Sequence, residues 1–500
     1  MARCSAGISG RAQEPGETGR EESEGLIVPW KPANARHAEP VEGRRPRNLE
    51  PLGGNMAGTP SPITVSTRHQ RLAERARQAP QLGFTTLNHH LDLAWLLEAY
   101  RRTRKGGAAG VDGQTASGYE ADLLGNLQRL LDRAKAGTYR APPVRRVYIP
   151  KGPGSTETRP LGIPTFEDKV LQRAVVMVLE AIYEQDFYPC SYGFRPGRSA
   201  HQALGELWKQ TMRTGGGWVL EVDIRKFFDT LGHAQLRDML RRRVRDGVLL
   251  RLIDKWLNAG VLEGGVVSHP ESGTPQGGVI SPLLANVYLH YVLDEWFERD
   301  VKPRLRGRAF LIRYADDFVI GFTDESDARR VQEVLPKRFG RYGLTVHPDK
   351  TRLVPFQRPQ QHPGREDRPQ ERSGSFVFLG FTHYWGISRK GNAVVRQQTA
   401  ASRLRRTIGA IADWCRGSRH RPVEEQHRGL SQKLVGHYGY FGITGNANAL
   451  VEVFNRATDW WRRWLSRRSW AGRLTWDGFT RLAERLALPR PRVVHSVLST

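Results

Sequence analysis

Phe310-Leu-Ile-Arg-Tyr-Ala-Asp-Asp-Phe-Val-Ile-Gly-Phe322 decides how the chain folds. Two apolar runs, Phe310–Tyr314 and Phe318–Phe322, flank a tight Ala-Asp-Asp, which predicts a hairpin of sheet-centre strands with two carboxylates at its tip. Asp is also a good turn residue, so a plain turn is the bland alternative. Adjacent like charges, however, raise each other's cost of ionisation, and a divalent cation is the usual means of keeping such a pair charged. A third acid, Asp223, ends the strand-like run Trp218–Asp223, 93 residues before Asp316. Oxygen-only ligands suit Mg²⁺, and two such ions about 3.5–4 Å apart can activate a 3′-hydroxyl and stabilise a leaving pyrophosphate. The three acids therefore point to nucleotidyl transfer.

Charge points the same way. The 500 residues include 77 Lys+Arg against 51 Asp+Glu, a net +26, whereas solubility alone asks for a magnitude of about 2–8 on a small domain. Such an excess implies a polyanionic partner, because Lys and Arg release condensed counterions when they neutralise phosphates. No stretch approaches the ~18 apolar residues that would span a bilayer, so no membrane partner is expected. The N-terminus runs polar with no signal peptide, and a cytoplasmic location follows. Cys4, Cys190 and Cys415 form no CxxC pair and no disulfide framework, so structural zinc is not expected.

The length suggests about three domains. Residues 1–62, rich in Gly, Pro, Glu and Arg without apolar periodicity, read as disordered. A helix carrying Leu91, Ala94, Trp95, Leu97 and Tyr100 opens the globular part. A second follows Thr165, a cap with Asp168 as its capping-box partner, and buries Val170, Leu171, Ala174, Val175, Val178, Leu179 and Ile182. A third starts with Ser281 as cap and Pro282 in its first turn, and an amphipathic helix covers Ala328–Phe339. Phe376–Phe381 reads as a strand after a Pro/Gln/Arg-rich loop, and the last hundred residues read as helical.

The motifs that carry these acids resemble those of group II intron reverse transcriptases and maturases. Tyr-Ala-Asp-Asp at 314–317 is similar to the YADD box of that family, and Val222-Asp-Ile-Arg-Lys-Phe-Phe-Asp229 to its first catalytic-aspartate motif. The resemblance covers the chain from about Ile63 onward. It implies an α+β right-hand polymerase, with fingers and a palm built on a ferredoxin-like antiparallel sheet, followed by an α-helical thumb or maturase X domain. The expected division is 63–215 for an N-terminal extension and fingers, 216–395 for the palm, and 396–500 for the thumb with a basic nucleic-acid-binding tail. Asp223, Asp316 and Asp317 are implied as catalytic metal ligands, with Ile224 as a further metal contact, for two Mg²⁺ ions that Mn²⁺ could replace. The same location narrows to a bacterial cytoplasm or nucleoid.

The resemblance also assigns roles by position. Phe228 matches the steric gate that excludes the ribose hydroxyl, and Gln276, within Gly273-Thr-Pro-Gln-Gly-Gly278, matches a contact to the incoming dNTP. Lys151 and Arg159 match the bases that hold the triphosphate, for which Arg offers a fork and Lys a point charge. Lys350, in His-Pro-Asp-Lys-Thr, joins them. Tyr192-Gly-Phe-Arg-Pro-Gly-Arg-Ser199 resembles the family's GFRP element, which offers Arg195 and Arg198 to template phosphates, with Ser199 as a helix cap. Phe378-Leu379-Gly380 resembles the primer-grip turn. Leu434–Gly442 and Gly445-Asn446 resemble the X domain.

Residues 401–500 hold 18 Lys+Arg, 7 Asp+Glu and six of the thirteen Trp, a mixture suited to looped RNA, where rings stack on bases and Arg contacts phosphates. Trp461 and Trp464 read as core, and Arg462, Arg463, Arg467 and Arg468 as RNA contacts. Expected partners are group II intron RNA, an RNA template, a DNA primer or target and dNTPs, with a homodimer left open. With no Cys after Cys415, an HNH endonuclease is not expected, although many relatives carry one. The implied function is RNA-directed DNA polymerisation with splicing assistance and retrohoming. The alternatives are a relative domesticated for DNA repair or phage defence, and a splicing-only RNA-binding maturase.

Overall fold

The computed structural model describes residues 62–150, 158–268, 273, 277–359, 374–388, 390–468 and 474–496. Lys151, Gln276 and residues 1–61 lie outside the described residues.

Helices α1 (Pro62–Gln78), α2 (Leu93–Arg102), α3 (Ala116–Glu120) and α4 (Leu123–Ala136) pack around α5 (Phe166–Asp186). The strand pair β1 (Val144–Pro150) and β2 (Thr158–Ile163) precedes α5 as an antiparallel hairpin. α5 is apolar on nearly every side and so sits at the centre of the largest core. Trp95, wholly buried on α2, donates its indole N–H to Ala174 O at 2.9 Å and fixes the two helices together. The Thr165 hydroxyl accepts the Asp168 N–H at 3.2 Å, as a cap should. The capping box expected there is only half made: the Asp168 carboxylate turns inward, accepting from Tyr139 OH, from Trp256 Nε1 at 2.7 Å and from Gln172 Nε2 at 2.9 Å. At α6 (Ala200–Thr214) the box from Ser199 and Gln202 is complete.

The second half is built on a sheet. After β3 (Gly216–Val222) come α7 (Phe227–Thr230), α8 (His233–Arg243), α9 (Gly247–Leu257), the short β4 (Val261–Glu263) and β5 (Val266–Ser268), and α10 (Ser281–Leu289). Ile280 caps α10 in place of the expected Ser281, because its carbonyl already accepts the Leu283 and Leu284 N–H groups. Beyond Leu289 the winding loosens to π-helical at His290–Asp294 and Phe297–Val301. The hairpin β6 (Ala309–Tyr314) and β7 (Asp317–Phe322), α11 (Glu325–Gly340) and β8 (Arg352–Gln357) follow.

These strands form one antiparallel sheet in the order β6-β7-β3-β8. Chain order and sheet order together make a split β-α-β-β-α-β unit. Its register decides the site. Val222 pairs with Phe318, so one step further along the two strands Asp223 comes opposite Asp317.

The expected strand Phe376–Phe381 is two strands, β9 (Phe376–Phe378) and β10 (Phe381–Ile387), because Leu379 and Gly380 take left-handed φ of 51° and 81° and turn the chain. With β11 (Ala393–Thr399) they make a three-stranded sheet, distinct from β2-β1-β4-β5 and β6-β7-β3-β8, and a second core joins its side chains to α6 and the β6-β7-β3-β8 sheet. Helices α12 (Ala401–Gly417), α13 (Val423–Phe441), α14 (Ala447–Leu465) and α15 (Trp476–Arg485) enclose a third core, with Trp461 buried as expected and Trp464 half-buried. Among the described residues no helix is long and apolar enough to cross a membrane.

Candidate active site

Tyr314 pairs with Asp317 at the end of the β6–β7 ladder, which leaves Ala315-Asp316 as a two-residue turn. Ala315 is left-handed at φ 56°, a conformation that costs a residue with a Cβ about 1 kcal/mol or more. It is held from beneath. The fully buried Arg313 donates to Ala315 O at 3.1 Å, to Asn286 Oδ1 at 2.9 Å, and with two nitrogens to the equally buried Asp294 at 2.8 and 2.5 Å. Asn286 in turn donates to Gly193 O at 2.7 Å. Gly193 lies so close to the turn that a Cβ on it would sit 2.3 Å from Ala315 N. Segment 190–192 runs along β6, with Arg313 N donating to Cys190 O at 2.8 Å and Tyr192 N to Arg313 O at 2.9 Å. The acid-bearing tip is thus clamped by α10, its π-helical continuation and the loop before α6.

Burial, followed by the Asp223 charge, raises the Asp316 carboxyl above the ordinary range, with Arg159 and Arg313 pulling the other way. Asp317 is pushed up to about 6 by burial, then by Asp316 and Asp223, against Arg403 and Arg159. Asp317 is nonetheless open to solvent and Asp316 partly so. Both carboxyls are therefore crowded by protein and by each other while still reached by water. Asp223 accepts from Lys350 Nζ at 3.2 Å, and its carbonyl accepts the His347 N–H at 2.8 Å. Ile224 is buried and bridges Val346. Among the described residues no three His, Cys, Asp or Glu side chains close into a ready ligand cage. The Lys350 ammonium supplies the positive charge at Asp223.

Of the residues expected at the site, Lys350 and Arg159 are within reach of these acids. Arg159, exposed on β2, is near enough for its charge to act on both Asp316 and Asp317. The turn at 277 is pressed onto β2: Gly277 (φ 123°) has room for no Cβ, which would lie 2.5 Å from Gly162 O. Phe228 is half-buried, edge-on to the buried Phe227 at 5.4 Å. Leu379 O accepts from Tyr440 OH at 2.8 Å, and Gly380 O accepts the Ala400 N–H at 3.0 Å, so the 379–380 turn is where the helical unit docks.

Arg195 departs from expectation. Its side chain is 4% exposed, ion-paired with Glu184 at 3.0 Å and bonded to the carbonyls of Tyr188 and Ser191 at 2.9 and 2.8 Å. Every nitrogen is engaged, by Glu184 at the end of α5 or by loop carbonyls, so it staples the loop to the helix and offers nothing to a phosphate. Arg198 is partly exposed, 5.2 Å from the Tyr192 ring. Arg468 is also tied down, donating to the carbonyls of Arg419 and Arg421. Arg463 and Arg467 stay exposed beside Trp460 and Trp464, while Arg462 stacks on Trp476 at 3.6 Å.

Sequence reasoning missed Arg313, Asp294, Asn286, Gly193 and Arg403. Arg313 had one visible signal, an obligate charge inside a strand that is otherwise core. Its partner could not be found from spacing, since Asp294 lies in a stretch that departs from α-helical periodicity.

The model for the family described as reverse transcriptase (RNA-dependent DNA polymerase) matches residues 149–383, which include all three acids. Protein YkfC of Escherichia coli (strain K12) is 37% identical over 326 residues, 58% of this chain and 85% of YkfC. Group II intron-encoded protein LtrA of Lactococcus lactis subsp. cremoris is 40% identical over 225 residues, 44% of this chain and 37% of LtrA. Nuclear intron maturase 2, mitochondrial, of Arabidopsis thaliana is 27% identical over 233 residues, 39% of this chain and 30% of that protein. The chain thus spans most of YkfC but little more than a third of LtrA.

Proposed function

The chain belongs to the reverse transcriptase family in its group II intron branch, and from that premise we propose that it copies RNA into DNA and binds the intron RNA whose splicing it assists. The observation that carries the reading is the placement of Asp223 at the end of β3, opposite the Asp316-Asp317 tip, in a chain of net charge +26. The oxygen-only donor set and the raised Asp316 and Asp317 carboxyls fit a hard divalent cation such as Mg²⁺, which Asp223, Asp316 and Asp317 would hold. When bound, two such ions supply Lewis acidity to an attacking 3′-hydroxyl and a leaving pyrophosphate.

The protein's own groups do the rest. Arg159, with Lys151 and Lys350, holds the triphosphate; Lys350 leaves Asp223 for it. By motif position Phe228 would gate the sugar, Gln276 contact the incoming nucleotide, and the Leu379-Gly380 turn hold the primer end. In this reading the β6-β7-β3-β8 sheet is the palm, the β1–β2 hairpin belongs to the fingers, and α12–α15 form the thumb or X domain. Arg463 and Arg467 beside their Trp rings are the better RNA contacts. Retrohoming is the biological setting.

Primer extension on an RNA template with Mg²⁺ and dNTPs tests the proposal. Wild-type protein should extend, and Asp316→Asn should abolish extension while leaving intron RNA binding intact. An Asp316→Asn protein that extends normally overturns the assigned site.

A further inference from the structure

Phe194 is the feature that the reaction as described leaves unused. It sits in the middle of the clamp on the acid-bearing turn, between Gly193, packed on Ala315, and Arg195, bonded on every nitrogen. Its neighbours are pinned inward, yet Phe194 is 48% exposed and, among the described residues, joins none of the three apolar cores. Its backbone is left-handed, φ 58°, where a bulky residue is a true outlier and glycine or asparagine is the ordinary occupant. Folding therefore gains little from this ring and bears a strain to hold it out. Strain of that kind gathers where a ligand is clamped. Arg198, partly exposed over the Tyr192 ring, lies on the same loop.

We infer that Phe194 is a stacking platform for the primer–template duplex, bearing on a base or sugar face of the pairs nearest the acids. The inference rests on the polymerase reading: a primer 3′ end must reach Asp223, Asp316 and Asp317, and Phe194 is one residue from the backbone that touches Ala315. An aromatic face suits this task at the end of the duplex, where the last base leaves a π-surface uncovered by a neighbour, and such contact is kept whatever the sequence. The rigid backing also suits it. A ring on a loop pinned at both sides fixes the height of the duplex over the acids, which a mobile side chain would not.

The full-length protein is tested with an RNA template annealed to a DNA primer, by fluorescence anisotropy and by steady-state extension. Phe194→Ala should weaken primer–template binding by about tenfold, the loss of roughly one base stack, and raise the KM for primer–template while the KM for dNTP stays put. Phe194→Tyr should bind as wild type. Phe194→Leu, apolar but without a π-face, should bind as Phe194→Ala. Phe194→Gly, which removes ring and strain together, should melt no lower than wild type and yet share the binding loss.

Abasic substitutions then identify the strand. Placed at the primer terminus or at the facing template nucleotide, the one that erases the difference between wild type and Phe194→Ala marks the stacked position. Equal binding by wild type and Phe194→Ala, full rescue by Phe194→Leu, or a difference that survives both abasic arms overturns the inference. A wild type that binds primer–template but never extends it overturns the polymerase reading instead, and the binding arms still decide the role of Phe194.

Discussion

Replacing Arg313 with methionine keeps roughly the length and volume of the side chain but strands Asp294, whose carboxylate is as fully buried as the guanidinium it faces. Both Asp294 oxygens are bonded, at 2.8 and 2.5 Å, to nitrogens that would vanish. Removing one partner of such a pair costs about 3–5 kcal/mol. For a cooperative unit of 150–250 residues at about 2–4 °C per kcal/mol, the melting midpoint should fall by roughly 6–20 °C. The double variant Arg313→Met/Asp294→Leu removes the stranded charge, and a well-packed apolar replacement of a buried pair is often neutral or stabilising, so most of the lost midpoint should return. Extension activity should not return with it. Ala315 O and Asn286 Oδ1 would still lack the donor that holds the turn at φ 56°. Thermal melts by circular dichroism, paired with single-turnover primer extension, read the two effects separately. A single variant that melts within about 2 °C of wild type would show that the pair is not desolvated as described. A double variant with wild-type turnover would remove the case for Arg313 as the residue that positions the acids.

Three further outcomes follow from the same geometry. Gly193→Ala places a methyl group against the backbone of the turn, 2.3 Å from Ala315 N; extension should drop by roughly 100-fold, as for an ångström-scale displacement of reacting groups, and unchanged kcat would mean that the loop does not set the tip. Asp168, raised from 3.8 to about 6 by burial, is an acid whose charged form the fold disfavours. Its contribution is therefore greatest below pH 4 and is lost as pH rises to 6, by about 3 kcal/mol for two pH units. Asp168→Asn should flatten that slope, and urea unfolding at pH 4, 5, 6 and 7 with parallel curves for the two proteins would refute it. Phe228→Ala should lower the preference for deoxyribonucleotides over ribonucleotides by about 100-fold; single-nucleotide incorporation with either substrate checks it, and an unaltered preference would return Phe228 to a packing role.

What could be read from sequence was whatever short-range pattern encodes. The β6–β7 hairpin, the strand before Asp223, and α5 follow from alternation, from a tight acidic turn and from apolar residues at helical spacing, all decided within a few neighbours. The acid pair stood out because two adjacent carboxylates between apolar strands raise each other's cost of ionisation. Arg195 was misjudged for the converse reason: arginine on a loop reads as solvated, and only the tertiary fold brings Glu184 and two carbonyls to its five donors. Asp168 was read as a cap partner, whereas Trp256 and Tyr139, 88 and 29 residues away in sequence, claim its oxygens. The split of Phe376–Phe381 turned on Leu379 taking a conformation normally left to glycine. In each case the missing information was a long-range partner or a strained backbone, and neither has a local signature.

The junction at Leu379-Gly380 carries one more meaning. Arg403, in the first turn of α12, packs its Cγ 3.6 Å from where a Cβ on Gly380 would sit, and its charge is the leading influence that holds Asp317 toward the ionised form. Tyr440 of α13 is bonded to the same turn. The helical unit thus contributes to the reaction centre electrically as well as mechanically: its seating helps set how readily an acid on another sheet gives up a proton. A shift of that unit would carry the Arg403 charge away from Asp317, so the helices and the carboxylate are electrically linked through a single turn of backbone.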